Sequence, residues 1–74
     1  MARGFIKTLT DKGYGFVRNH DTGEDHFFHA KDLSPELIFG ESLLQMEVEF
    51  NPLSGARGPR AGDVRPAFGK QVFR

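Results

Sequence analysis

The chain has no cysteine, no tryptophan and a single tyrosine among its 74 residues. Without cysteine, no disulfide can staple the fold and no thiolate can hold a metal. A domain this short buries only about 60% of the surface its unfolded chain exposes, so its stability is marginal. Long apolar runs are missing too. The opening MARGFIKTLTDKGYG contains neither a signal peptide nor a membrane span. These absences lead to the expectation of a cytoplasmic protein with no membrane partner. Net charge is also absent, with 10 basic against 10 acidic residues. Taken alone, that balance argues against a polyanionic partner.

The charges that are present are segregated. Residues 1–18 hold Arg3, Lys7, Lys12 and Arg18 against Asp11. Residues 57–74 hold Arg57, Arg60, Arg65, Lys70 and Arg74 against Asp63. Between them, residues 19–56 carry nearly all the other acids, and Lys31 is the only base there. If the two basic ends meet in the fold, one face becomes basic and attracts anions. Phenylalanine is also plentiful, at 8 residues. In a domain this small, phenylalanines left on the surface call for a functional reason.

Short apolar segments alternate with turn signals, the pattern of an all-β domain. The sequence predicts strands over Gly4–Leu9, Lys12–Arg18, Asp25–Ala30, Met46–Phe50 and Asp63–Arg65, the last starting as early as Ala61. Thr10-Asp11 reads as a turn and Asn19–Glu24 as a hairpin loop. Ser34-Pro35-Glu36 reads as the start of a short helical turn, and Asn51–Gly62, with its Gly and Pro, as a loop. Five short strands with two unprotected edges invite aggregation, and closure removes the edges. The architecture expected is an antiparallel five-stranded Greek-key OB-fold barrel over residues 1–66, with residues 67–74 as an extension.

Side chains alternate between the faces of a strand. Lys12, Tyr14, Phe16 and Arg18 therefore share one face, and Gly13, Gly15 and Val17 the other. On the next strand Phe27 and His29 lie together, with Asp25, opposite His26, Phe28 and Ala30. The glycine face fits a tightly curved barrel interior, with Val17 and Phe28 filling it. Tyr14, Phe16, Phe27 and His29 then stand outside, side by side. Rings held on a rigid sheet and rimmed by bases form a stacking platform for unpaired nucleobases. Two alternatives stay open here. The rings are core and the glycines face water, or the patch meets another protein.

KGYGFV and DHFFH, followed by SGARGPRAGDV, resemble motifs of the cold-shock domain family: KGFGFI, a form close to DVFVH, and a loop near SGAKGPAAGNV. The opening GFIK is similar to the family's GxVK. The resemblance covers residues 4–66 in order and spacing. It implies a five-stranded barrel, binding of single-stranded RNA and DNA with modest sequence preference, and no catalysis or cofactor. Family roles include RNA chaperone activity, transcription antitermination and adaptation to cold. Lys7, Tyr14, Phe16, Phe27 and His29 match family binding positions, as do Lys12 and, more weakly, Arg57. Arg18 and Arg60 join them as bases that steer phosphates.

The chain also departs from that pattern. Thr8-Leu9-Thr10 stands where the family has Trp-Phe-Asn, so a stacking Trp is missing and Leu9 offers only an apolar contact. Ala30 replaces an aromatic that many members carry after the histidine, and Gln45 a usual Gly. Phe39 stands either for a loop aromatic of the binding face or for a core residue.

His20, His26 and His29 fall in a loop and on opposite strand faces, so no three-histidine metal site is expected. His26, on the barrel-facing side, is expected near a strand end where its ring reaches water. No nucleophile–base pair or phosphate loop indicates an enzyme. A monomer is the default, with Leu33–Met46 a possible hinge for a strand-exchanged dimer.

Overall fold

The computed structural model describes residues 1–67. Phe68, Val72 and Phe73 of the C-terminal extension lie outside the described residues. The strands are β1 (Ala2–Leu9), β2 (Tyr14–Asn19), β3 (Asp25–His29), β4 (Glu47–Gly55) and β5 (Gly58–Pro66). They form a closed barrel in the order β1-β2-β3-β5-β4, which is the five-stranded barrel the sequence predicts. β1 runs antiparallel to β2 and β4, β2 to β3, and β4 to β5. The seam that completes the cylinder is parallel and pairs Phe27 with Arg60.

Alternation decides which face is inside. Gly15, Val17 and Asn19 of β2 are buried, as are His26 and Phe28 of β3. Ile6, Val48, Phe50, Ala61 and Val64 complete the barrel interior. Leu43, from a 3₁₀ turn over Glu41–Leu43, joins the same cluster. Tyr14, Phe16 and Phe27 stay outside and half-buried, so the reading with rings in the core is excluded. Gly15 shows why the inner face of β2 needs glycine. A Cβ there would collide with the Thr8 carbonyl oxygen and come within 3.0 Å of the Phe28 ring.

Three local expectations are corrected. The stretch Asn51–Gly62 is not a loop: most of it is a long β4–β5 hairpin turning at Ala56-Arg57, with Gly55 opposite Gly58. Beyond Phe50, β4 has only β5 as a strand partner. Pro52 and Pro59 are tolerated in such a ribbon because a proline nitrogen can face its open edge. Gly58 supplies the positive φ, 120°, that the turn requires.

The helical turn expected at Ser34-Pro35-Glu36 is a single hydrogen-bonded turn, in which the Leu37 N–H donates to the Ser34 carbonyl. Short 3₁₀ turns instead lie on either side, over Ala30–Asp32 and Glu41–Leu43. Finally, His26 does not reach water. It is 3% exposed and packs against Phe50, because the hairpin missed in the sequence covers it.

Candidate nucleic-acid interface

The β2–β3 register places Phe16 opposite Phe27 and Tyr14 opposite His29. Ring centroids lie 5.2 Å apart for Tyr14–Phe27, 5.9 Å for Phe16–Phe27 and 6.3 Å for Tyr14–Phe16. The two pairs involving Phe16 meet edge to face, the arrangement that ring quadrupoles favour. The cluster is therefore held in place by its own members and by the sheet beneath.

The β4–β5 hairpin forms the other side of this surface. Between it and the three rings lies a groove of about 610 Å³, bordered by the turn from Gly55 to Arg60. The Arg60 guanidinium sits 5.5 Å from the Phe27 ring centre and pairs with Asp32 at 3.2 Å. Arg57 is exposed in the hairpin turn, and Lys12 is exposed just before β2. Neither forms an ion pair among the described residues. Arg57 and Arg60 thus border the groove, and Lys12 lies two residues before Tyr14, which lines it.

Lys7 and Arg18 are placed differently. Both bind one carboxylate: Lys7 Nζ lies 3.0 Å from Asp25 Oδ2, and Arg18 Nε lies 2.6 Å from Asp25 Oδ1. Donation from Arg18, and then from Lys7, holds the Asp25 carboxyl below its usual range. The same contact raises the Arg18 guanidinium. Two bases beside the rings are therefore already countered by an acid on the same face.

His29 is held by local geometry. Its Nδ1 accepts from the Lys31 backbone N–H at 3.1 Å, while its own N–H donates to Asp32 at 2.9 Å. Accepting at Nδ1 leaves the ring proton on Nε2, the nitrogen that can donate to a ligand. Leu9 and Phe39 are not brought to the rings. Both pack against the buried core, with Phe39 centred 6.4 Å from Phe28. Phe39, half-buried, thus lends at least one face of its ring to the core.

Asp32 was not among the residues singled out from the sequence, whereas Arg57 and Arg60 were, as loop residues rather than as part of a hairpin wall. Asp32 meets Arg60 across 28 positions, a separation that no local pattern signals. The alternation that placed Asp25 beside Phe27 did indicate its side of the strand.

Comparison with known proteins agrees with this geometry. Residues 2–67 match the family model described as the 'Cold-shock' DNA-binding domain. The chain belongs to the cold-shock domain family. It is 42% identical over 66 residues to a cold shock-like protein of Aquifex aeolicus, covering 85% of this chain and 90% of that one. It is 38% identical over 56 residues to the cold shock-like protein CspC of Bacillus cereus, covering 73% and 80%. Among solved structures it resembles Drosophila Unr CSD456, with a TM-score of 0.72 and 22% identity. That alignment covers 97% of this chain and 29% of the longer one, and it speaks to the fold. As a cold-shock domain, the barrel is of a nucleic-acid-binding type, and its ring cluster and cationic hairpin occupy one continuous surface.

Proposed function

We propose that this protein binds single-stranded RNA and DNA with low sequence specificity and acts as an RNA chaperone or transcription antiterminator in the cytoplasm. The observation that carries the reading is the groove between the Tyr14, Phe16 and Phe27 rings and the Arg57/Arg60 hairpin. Unpaired bases stack on the rings, a contact worth about 1–3 kcal/mol per base and tolerant of base identity. Phosphates run along Lys12, Arg57 and Arg60, and His29 Nε2–H donates to a base or sugar oxygen. Three rings form few contacts, so release is fast. Melted strands are trapped briefly and let go without ATP and without bond-making chemistry.

Fluorescence anisotropy with labelled oligo-dT and oligo-U, at two salt concentrations, tests the proposal. Wild type binds both, more weakly at the higher salt. Phe27→Ala keeps its circular dichroism and loses roughly tenfold in affinity or more, as expected for one lost stacking contact. Absence of binding at low salt would overturn the proposal and leave the ring patch as a surface for another protein.

A further inference from the structure

The outer face of the sheet continues past the three rings. On β2, alternation carries the face of Tyr14, Phe16 and Arg18 on to His20, one residue beyond the strand end. On β1, Phe5 pairs with Arg18 and with Glu47 of β4, so its ring stands on that same face. The two rings meet there, with centroids 5.6 Å apart and planes tilted by 39°. Phe5 is half-buried, like the three rings of the cluster, and His20 is more open, its side chain 44% exposed. Phe5 does not join the buried core, and a phenylalanine left on so small a surface calls for a functional reason.

The pair is held in place by its surroundings. The His20 N–H donates to the Arg3 carbonyl at 2.9 Å, which extends the β1–β2 ladder past the strand end. Asn19 Oδ1 accepts from the backbone N–H groups of Asp21 and Thr22, at 2.8 and 3.3 Å, and fixes the turn that follows. His20 Nε2 lies 2.8 Å from Glu47 Oε1, a contact that orients the imidazole. Rings positioned in this way lose little further freedom when a ligand packs on them.

We propose that Phe5 and His20 form a second stacking subsite, which takes a further base of the single strand bound at Tyr14, Phe16 and Phe27. The subsite rests on the function proposed above and lengthens the surface that performs it. Strands lie about 4.8 Å apart and rise about 3.3 Å per residue, so Phe5 is about 8 Å from Phe16 across the sheet, a span that neighbouring nucleotides of one strand bridge. The path between them crosses Arg18 and Lys7, both held by Asp25. A phosphate there competes with that carboxylate. On the far side stand Glu47 and the Arg3–Glu49 pair, and the acids of β4 turn a polyanion away. Affinity gained at Phe5 therefore comes from stacking rather than from ion pairing.

Fluorescence anisotropy with labelled oligo-dT of about four and about eight nucleotides, within the site sizes of OB-type barrels, tests the subsite. The shorter strand is taken up by the three rings alone, and the longer one also reaches Phe5. Phe5→Leu keeps the apolar bulk and the circular dichroism of wild type. It binds the longer strand roughly tenfold more weakly, as expected for one lost stacking contact. Its affinity for the shorter strand and its slope of log K against log salt match those of wild type. Phe5→Tyr, which retains a ring, keeps the wild-type affinity for both strands. The subsite is overturned, and the three-ring surface stands, if Phe5→Leu weakens both strands equally or neither. Failure of wild type to bind either strand would overturn the proposed function and the subsite with it. Should Phe5→Leu fail to fold, proton NMR of wild type decides. The Phe5 and His20 ring resonances move on adding the longer strand and stay in place with the shorter one, and equal movement with both, or none with either, overturns the subsite.

Discussion

Gln45 and Asp63 hold positive φ angles, 70° and 49°. Aspartate visits this left-handed region with little penalty, but glutamine does not. Gln45→Gly should therefore stabilise the protein by about 1 kcal/mol, since a left-handed residue costs about 1–2 kcal/mol and glycine's greater unfolded freedom returns part of the gain. Urea denaturation of the two proteins measures it. Asp25 is the other telling residue. Asp25→Asn removes the carboxylate that counters Lys7 and Arg18. Oligonucleotide affinity should rise, and the slope of log K against log salt should steepen by about 0.7 for each cation released to the strand. Stability should move the other way in acid. The folded-state Asp25 carboxyl lies below its unfolded value of 3.8. Its contribution is thus fully present above that value and lost as pH falls through the lower, folded one. Wild type should lose more stability than Asp25→Asn on acidification, as thermal melts at stepped pH would record.

The β4–β5 hairpin is the element on which the groove depends. Its turn needs Gly58 at a φ of 120°. Gly58→Val should cost about 1–3 kcal/mol in backbone strain. It should also weaken oligonucleotide binding, because the wall carrying Arg57 and Arg60 moves. Anisotropy beside urea denaturation separates the two effects. The hairpin was also the element hardest to read. Between Asn51 and Gly62 the glycines and prolines carry the composition of a loop. Strand pairing prevails there because β4 beyond Phe50 needs only β5 as a partner, which leaves an open edge for the prolines. β2 and β3 were legible because their alternation sorts the side chains into two faces, and the bases beside the rings favour the glycine and Val17 face as the inner one. Phe39 was not legible, since a lone aromatic in a long loop has no periodicity to place it.

At the scale of the whole molecule, one small core carries the fold. Phe28 is fully buried, and Phe28→Ala should cost about 3–5 kcal/mol. A domain of this size has about that much stability in total, so the variant should be largely unfolded at room temperature. Its neighbour Phe27 points the other way, and Phe27→Ala should melt close to wild type. Circular dichroism melts of the two variants check this contrast. Net charge also belongs to this scale. The balance of 10 bases and 10 acids describes the chain but not the surface, because barrel closure sets Arg57 and Arg60 of one end against the rings of β2 and β3.

The sequence by itself determined which side chains share a strand face and the motifs that mark the family, and the structure decided that the three rings face outward. The first two depend on the alternation of side chains along one strand or on motifs of a few contiguous residues, and both are local. Only the tertiary structure decided that Asp25 occupies Lys7 and Arg18, that Asp32 and Phe27 position Arg60, and that His26 is sealed under a hairpin. All but the Arg18–Asp25 contact join residues well separated in the chain. The Asp25 contacts follow from the pairing of β1, β2 and β3, and those of Arg60 from the parallel seam between β3 and β5 that closes the barrel.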